Sequence, residues 1–188
     1  MRHLFLCLGI LCLMLSCQQS SNISIDPSTN NEIKEKITQL YNSYGNGGFY
    51  QHPASTDLFS NDLTHLIEQS QKIIGVGQKN IQEKPALMEG TVFVSLPEGF
   101  TAYKIKSVDI LKSIEPIGSI ADVTVEFENT NFSPTVIYTD KVRLVNCLSK
   151  GWKVDNIVYD PSIEKHSKDI KTVLGDFIAI HSENPDRK

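Results

Sequence analysis

Between Gly118 and Asn129 the chain alternates with period two. Val123, Val125 and Phe127 fall on one side, and Thr124, Glu126 and Glu128 on the other. Successive side chains of a strand point to opposite faces, so this run predicts a strand with one buried face and one wet face. A sheet of that kind is antiparallel, and its dry face needs helices to cover it. The neighbouring runs fit the same sheet. Residues 91–96 read as a short strand. Residues 103–114 read as a longer one: Lys104 and Lys106 point one way and Ile105 the other, and a parity slip near Ser107 predicts a bulge. Residues 129–134 read as a turn, 135–148 as the next strand, 149–151 as a tight turn and 152–159 as the last strand. The pair flanking Lys150-Gly151 reads as a hairpin.

Helical spacing occupies the two ends. Thr29-Asn30-Asn31-Glu32 has the form of a capping box, with Thr29 as N-cap and Glu32 reaching back. Ile33, Ile37, Leu40, Tyr41 and Tyr44 follow on one face, so a helix is expected over residues 30–44, ended by Gly45, Gly47 and Gly48. A loop over 45–56 carries Phe49-Tyr50-Gln51-His52-Pro53. A second helix is expected over 60–74, with Leu63, Leu66, Ile67, Ile73 and Ile74 on its apolar face and Gly75 ending it. Residues 78–89 give no clear pattern, and Pro85 argues against a long helix there. A third helix is expected to start at Asp160-Pro161-Ser162, with Ile163, His166, Ile170, Val173, Leu174, Phe177 and Ile178 as its stripe and Asn184-Pro185 stopping it. The fold class is therefore α+β: an antiparallel sheet packed against N-terminal helices, with an added C-terminal helix.

The first residues bear on location. Arg2 precedes an almost unbroken apolar run, Leu4 to Leu15, too short to span a bilayer as a helix and placed where an export signal sits. Met14-Leu15-Ser16-Cys17 resembles the lipobox of bacterial lipoproteins. On that resemblance residues 1–16 are a signal peptide, and Cys17 carries the lipid anchor: a thioether-linked diacylglycerol, usually with a third acyl chain such as palmitate. Several buried chains hold a protein stably on a membrane. Residues 17–28, rich in Gln, Ser and Asn, read as a flexible tether. Residues 29–182 read as one domain and 183–188 as a frayed tail. Gln18 is not the Asp that retains enteric lipoproteins at the inner membrane, which points to the outer membrane. With Cys7 and Cys12 discarded and Cys17 acylated, Cys147 is left alone, so no internal disulfide is expected and Cys147 reads as a structural thiol. Net charge is −4 with no basic cluster, so nucleic-acid binding has no electrostatic footprint.

The order of elements, with Lys141-Val-Arg-Leu-Val and Gly151-Trp152-Lys153-Val154-Asp155-Asn156-Ile157 as its closing hairpin, resembles the nuclear transport factor two-like superfamily. Leu40-Tyr41-Asn42-Ser43-Tyr44 before a Gly-rich loop is similar to the first helix of those domains. The likeness covers residues 30–160. It implies a curved sheet wrapped round a helix to make a cone with an open mouth. Enzymes of that fold, such as ketosteroid isomerase and scytalone dehydratase, place carboxylate or histidine bases in the cone. Dimers across the exposed sheet face are common in the superfamily, so a homodimer is one implied partner state.

Candidate chemistry is sparse. Asp109, Asp155 and Arg143 lie in the strand region and read as solvated cross-strand residues more readily than as a cluster at the cone mouth. His52, His65, His166 and His181 are scattered, none at metal-ligand spacing, and His166 reads as a packed histidine. Gly75-Val76-Gly77 lacks the Lys-Ser/Thr of a phosphate loop. No cofactor or metal is expected. Tyr41, Tyr44 and Trp152 read as core. Phe49 and Tyr50, with His52 and Arg143, are the ligand-binding candidates, since small-molecule pockets are mostly apolar with a few polar groups. The expected function is a non-enzymatic, membrane-anchored envelope binding domain. Its partner would be an envelope ligand or a protein such as an exported toxin, which it would neutralise as an immunity factor. The alternative is a small envelope hydrolase or isomerase using Asp155, Arg143 or His52.

Overall fold

The computed structural model describes residues 27–47, 52–77, 90–114, 118–147 and 151–182. Helices α1 (Pro27–Tyr44) and α2 (Asn61–Gly77) come first, then strands β1 (Ala102–Ile114), β2 (Gly118–Asn129), β3 (Val136–Cys147) and β4 (Gly151–Val158), then helix α3 (Ile170–Ser182). The strands form one antiparallel meander in the order β1-β2-β3-β4, curved and unclosed. This is the α+β arrangement that the period-two run demands.

The alternation in β2 is realised residue by residue. Val123, Val125 and Phe127 are fully buried, while Glu128 is exposed. The parity slip in β1 is a bulge: Ile105 pairs with Val125 and Ser107 with Thr124, so Lys106 is the extra residue. One consequence is that Lys104 and Lys106 both reach the Glu126 carboxylate, at 2.6 and 3.2 Å. The β3–β4 hairpin pairs Cys147 with Gly151, and a second bulge after Arg143 makes Asp155 the extra residue of β4. The free edge of β4 is covered. Val154 N donates to Leu58 O and Ser60 N to Val154 O, each at 2.8 Å, and Tyr159 N donates to Lys168 O at 3.0 Å. An edge closed in this way offers no template for pairing with another chain.

Four local expectations are corrected. Helix α1 begins at Pro27, whose fixed φ and missing N–H suit a first turn. Thr29 therefore lies inside the helix, and Glu32 does not reach back: its Oε1 accepts from Trp152 N at 3.0 Å, joining α1 to β4. Helix α2 runs through Gly75 to Gly77, because a mid-helix glycine weakens a helix by about 1 kcal/mol without breaking it. Ser60 caps α2, its Oγ accepting from Leu63 N at 3.2 Å. Residues 91–96 form no strand. Their backbone bonds go to side chains and to a local turn: Phe93 N donates to Thr91 Oγ1, Ser95 N to an Asp140 oxygen, and Thr91 N to Pro97 O.

The last correction concerns residues 160–169, which are not helical. Asp160 takes Ser162 N and Ser162 Oγ on Oδ1 and Thr139 N on Oδ2, closing a single turn. The chain then pairs beside β4 through Val158 and Asp169. Asp169 is the true N-cap of α3, accepting from Thr172 N at 2.8 Å. His166 consequently lies outside the helix and is exposed. Ile170, Leu174 and Phe177 supply the buried face of α3.

The dry face of the sheet holds the core. Tyr41 of α1 meets Phe100, Tyr103 and Phe127, and the ring centroids within this group lie between 4.9 and 6.3 Å apart. Tyr44 packs on Phe59 and Phe93. Tyr41, Tyr44 and Trp152 are all buried, as their spacing predicts.

Candidate functional site

The wet face carries a row of charges. Asp109, Asp122, Arg143 and Asn156 are successive cross-strand partners from β1 to β4. Arg143 grips Asp122 with two bonds, Nε to Oδ1 at 2.9 Å and Nη2 to Oδ2 at 3.0 Å. That bidentate contact, with the Asp122 charge beside it, raises the guanidinium above its ordinary range. Asp109 stands on β1 directly beside Asp122 and accepts from Ser107 Oγ at 3.1 Å. Asp155 is held elsewhere: its Oδ1 accepts from Ser60 Oγ at 2.7 Å and from Lys171 Nζ at 2.8 Å. Arg143 and Asp155 are therefore each neutralised by a different partner.

His52 is exposed and its ring lies edge-on to Tyr44, centroids 5.9 Å apart. Its carbonyl accepts from Gln71 Nε2 at 2.7 Å, tying the loop to α2. Phe49, Tyr50 and Cys17 lie outside the described residues, as does the Cys147 side chain. Of the ligand-binding candidates, His52 and Arg143 can be placed, and they have no partner in common among the described residues.

The chemically distinctive group is one the sequence reading passed over. Asp140 is fully buried on the dry face of β3. Its signal was present: Tyr138, Asp140, Val142 and Leu144 share one parity, so an acid sits in an inward apolar row. Ser95 Oγ donates to Asp140 Oδ1, Ser95 N donates to Oδ2 at 2.9 Å and Asp160 N donates to Oδ1 at 3.1 Å. Asp160 N also reaches Ser95 Oγ at 2.6 Å. One carboxyl thus ties three parts of the chain: β3, the segment after Gly90, and the turn after β4.

Burial disfavours the charged carboxylate and pushes Asp140 up to about 6, against the three donors that favour the charge; the nearby Asp160 adds to the rise. Around it stand tyrosines whose hydroxyls are raised by burial and then by the Asp140 charge: Tyr41, Tyr138 and Tyr159. Tyr138 Oη donates to Gly99 O at 3.2 Å and Tyr159 Oη to Val92 O at 2.6 Å. Tyr41 Oη is buried with no hydrogen-bond partner among the described residues. A carboxyl lifted to about 6 has an acidity suited to proton transfer.

Metal-ligating side chains do not gather in threes among the described residues. Comparison with protein-family models, with curated proteins and with solved structures finds nothing that matches this chain.

Proposed function

We propose that the chain is a lipid-anchored, non-enzymatic protein of the bacterial envelope that works as a binding or protein-interaction domain. Neutralisation of an exported toxin is the narrowest form of that role. The lipobox-like Met14-Leu15-Ser16-Cys17 supports the anchor, and Gln18 supports the outer membrane as its site. The observation that carries the reading is the filled interior. Tyr41, Phe100, Phe127 and Tyr138 fill the dry side of the sheet, the place where enzymes of the cone-shaped fold it resembles hold their catalytic bases. Recognition then falls to the outer surface, including the charged row on the wet face.

The test uses a chain beginning at Ser20, immobilised and exposed to envelope extract and to exported proteins of competing strains. Saturable retention of one such protein is expected. Failure to retain any, with the immobilised domain shown to be folded, counts against the reading.

One observation favours the second reading, a small envelope hydrolase or isomerase. Asp140 has an acidity suited to proton transfer, and the unpartnered Tyr41 hydroxyl feels its charge. That enzyme would work inside the cone and would need an entrance. It predicts turnover of a small ester or ketone that Asp140→Asn abolishes while the fold survives.

A further inference from the structure

The wet face of the sheet changes character along its strands. Lys104, Lys106, Glu126 and Glu128 hold one stretch, and Asp109, Asp122 and Arg143 the middle. The next cross-strand row is apolar: Leu111 pairs with Ile120, and Ile120 with Val145. Leu111 is 43% exposed, and Ile120 and Val145 are half-buried. Val145 pairs in turn with Lys153, whose ammonium is taken up by Thr56 O and Asp57 O at 2.9 and 2.8 Å. Contiguous apolar side chains on an otherwise charged face mark a contact with another surface.

The row lies at the end of the sheet where α1 starts. Glu32, about 7.5 Å along the helix from Pro27, accepts from Trp152 N, and Trp152 directly precedes Lys153 on β4. The other end of α1 meets the opposite end of the sheet: Tyr41 packs on Tyr103 and Phe127, and beyond the helix Asn46 holds Phe100. The chain therefore enters α1 beside the apolar row. Cys17 is ten residues before Pro27, a reach of at most about 35 Å. Ile137, 62% exposed on the same face, belongs to the far end. It pairs with Glu128, eight residues from Ile120 on β2 and so about 27 Å along the strand.

We propose that Leu111, Ile120 and Val145 rest on the phospholipid surface that holds the acyl chains of Cys17, so that the domain stands with this end on the membrane. The inference rests on the lipid anchor proposed above. The anchor supplies what three side chains cannot: it makes their contact intramolecular, at the effective concentration that a short tether sets. Apolar side chains that enter the headgroup boundary leave water, as the apolar face of an interfacial helix does. The rows of Asp109, Asp122 and Arg143 and of Lys104 and Glu126 stay in solution, where a protein partner can reach them.

Fluorescence quenching tests this on the full, acylated chain reconstituted in phosphatidylcholine vesicles with and without bromine on the acyl chains. Leu111→Trp and Ile137→Trp each place an indole at an exposed position of the same face, so neither disturbs the core. The native chain, with Trp152 as its only tryptophan, gives the baseline. Above that baseline, Leu111→Trp should lose emission in the brominated vesicles and Ile137→Trp should keep it. Ile137→Trp also controls for the preference of tryptophan for membrane interfaces. Flotation of the vesicles on a density gradient reads the anchor separately. Chains that float yet lose emission equally at both positions, or at neither, overturn the proposal and leave the anchor standing. A row covered by a second copy or by another protein gives the latter result. Chains that do not float overturn the anchor and the proposal with it.

Discussion

Replacing Arg143 by alanine should destabilise the domain more than replacing its partner Asp122 by asparagine, and the reason lies in the row. Arg143 and Asp122 form a bidentate pair, but the arginine side chain is 42% exposed, so the pair itself contributes only about 0.5–1 kcal/mol. Asp109 is the direct cross-strand partner of Asp122. Without the guanidinium, two carboxylates face each other across β1 and β2, a like-charge pairing that costs a further 0.2–1 kcal/mol, roughly. Arg143→Ala should therefore cost about 1–2 kcal/mol. Asp122→Asn loses the pair yet relieves the repulsion, so its cost should stay below about 0.5 kcal/mol. Adding Asp109→Asn to Arg143→Ala should recover about half a kcal/mol. Urea unfolding followed through Trp152, the only tryptophan and a buried one, gives these differences directly. The repulsive part should shrink in about 0.5 M salt, where the Debye length falls below 5 Å or so. An Arg143→Ala cost no larger than that of Asp122→Asn, or a cost unchanged by salt, would refute the row as an electrostatic unit.

Asp140 makes a pH prediction of defined sign. Its folded value, about 6, lies above its ordinary 3.8, so the proton binds more tightly to the folded chain. The stabilisation is complete below pH 3.8 and is lost as pH rises through 6, by about 2–3 kcal/mol in full. The stability difference between the native chain and Asp140→Asn should shift by that amount between pH 4 and pH 8; a flat difference contradicts the assignment. Ser60→Ala removes the N-cap of α2 and a donor to Asp155, and should cost about 1–2 kcal/mol in the same urea assay. Gly118→Ala drives a Cβ into the Asn146 carbonyl oxygen at φ 90°, which should cost about 2 kcal/mol or more and lower Tm accordingly. A neutral result there would mean that the β2–β3 backbone yields easily.

Some of this architecture is written in short stretches of residues. The alternation of Val123, Val125 and Phe127 sets which face of β2 is dry, because strand period is a property of the backbone and needs no partner. The slip after Ile105 announces its bulge for the same reason, and Lys150-Gly151 announces its hairpin. Local pattern misleads where a side chain finds a distant partner better than the near one. Glu32 has the spacing of a capping box, but the Trp152 amide, 120 residues away, takes its carboxylate. Residues 91–96 have strand composition, but their polar backbone groups are satisfied by Thr91, Pro97 and Asp140 instead of a neighbouring strand. Residues 163 and 166 continue a helical stripe, but pairing beside β4 draws the chain out until Asp169 can cap α3.

Asp140 stands at the boundary between the two kinds of information. That an acid occupies an inward position of β3 follows from parity alone. That burial lifts it to about 6 and that it joins β3 to residues 91–98 and to the turn after β4 follows only from what the fold brings to it: Ser95, Asp160 and a wall of tyrosines. The chain by itself determined period, face and turn, since those depend on neighbouring residues. Tertiary structure decided which buried groups meet, and the energy of a buried charge is set by its surroundings, not by its place in the sequence.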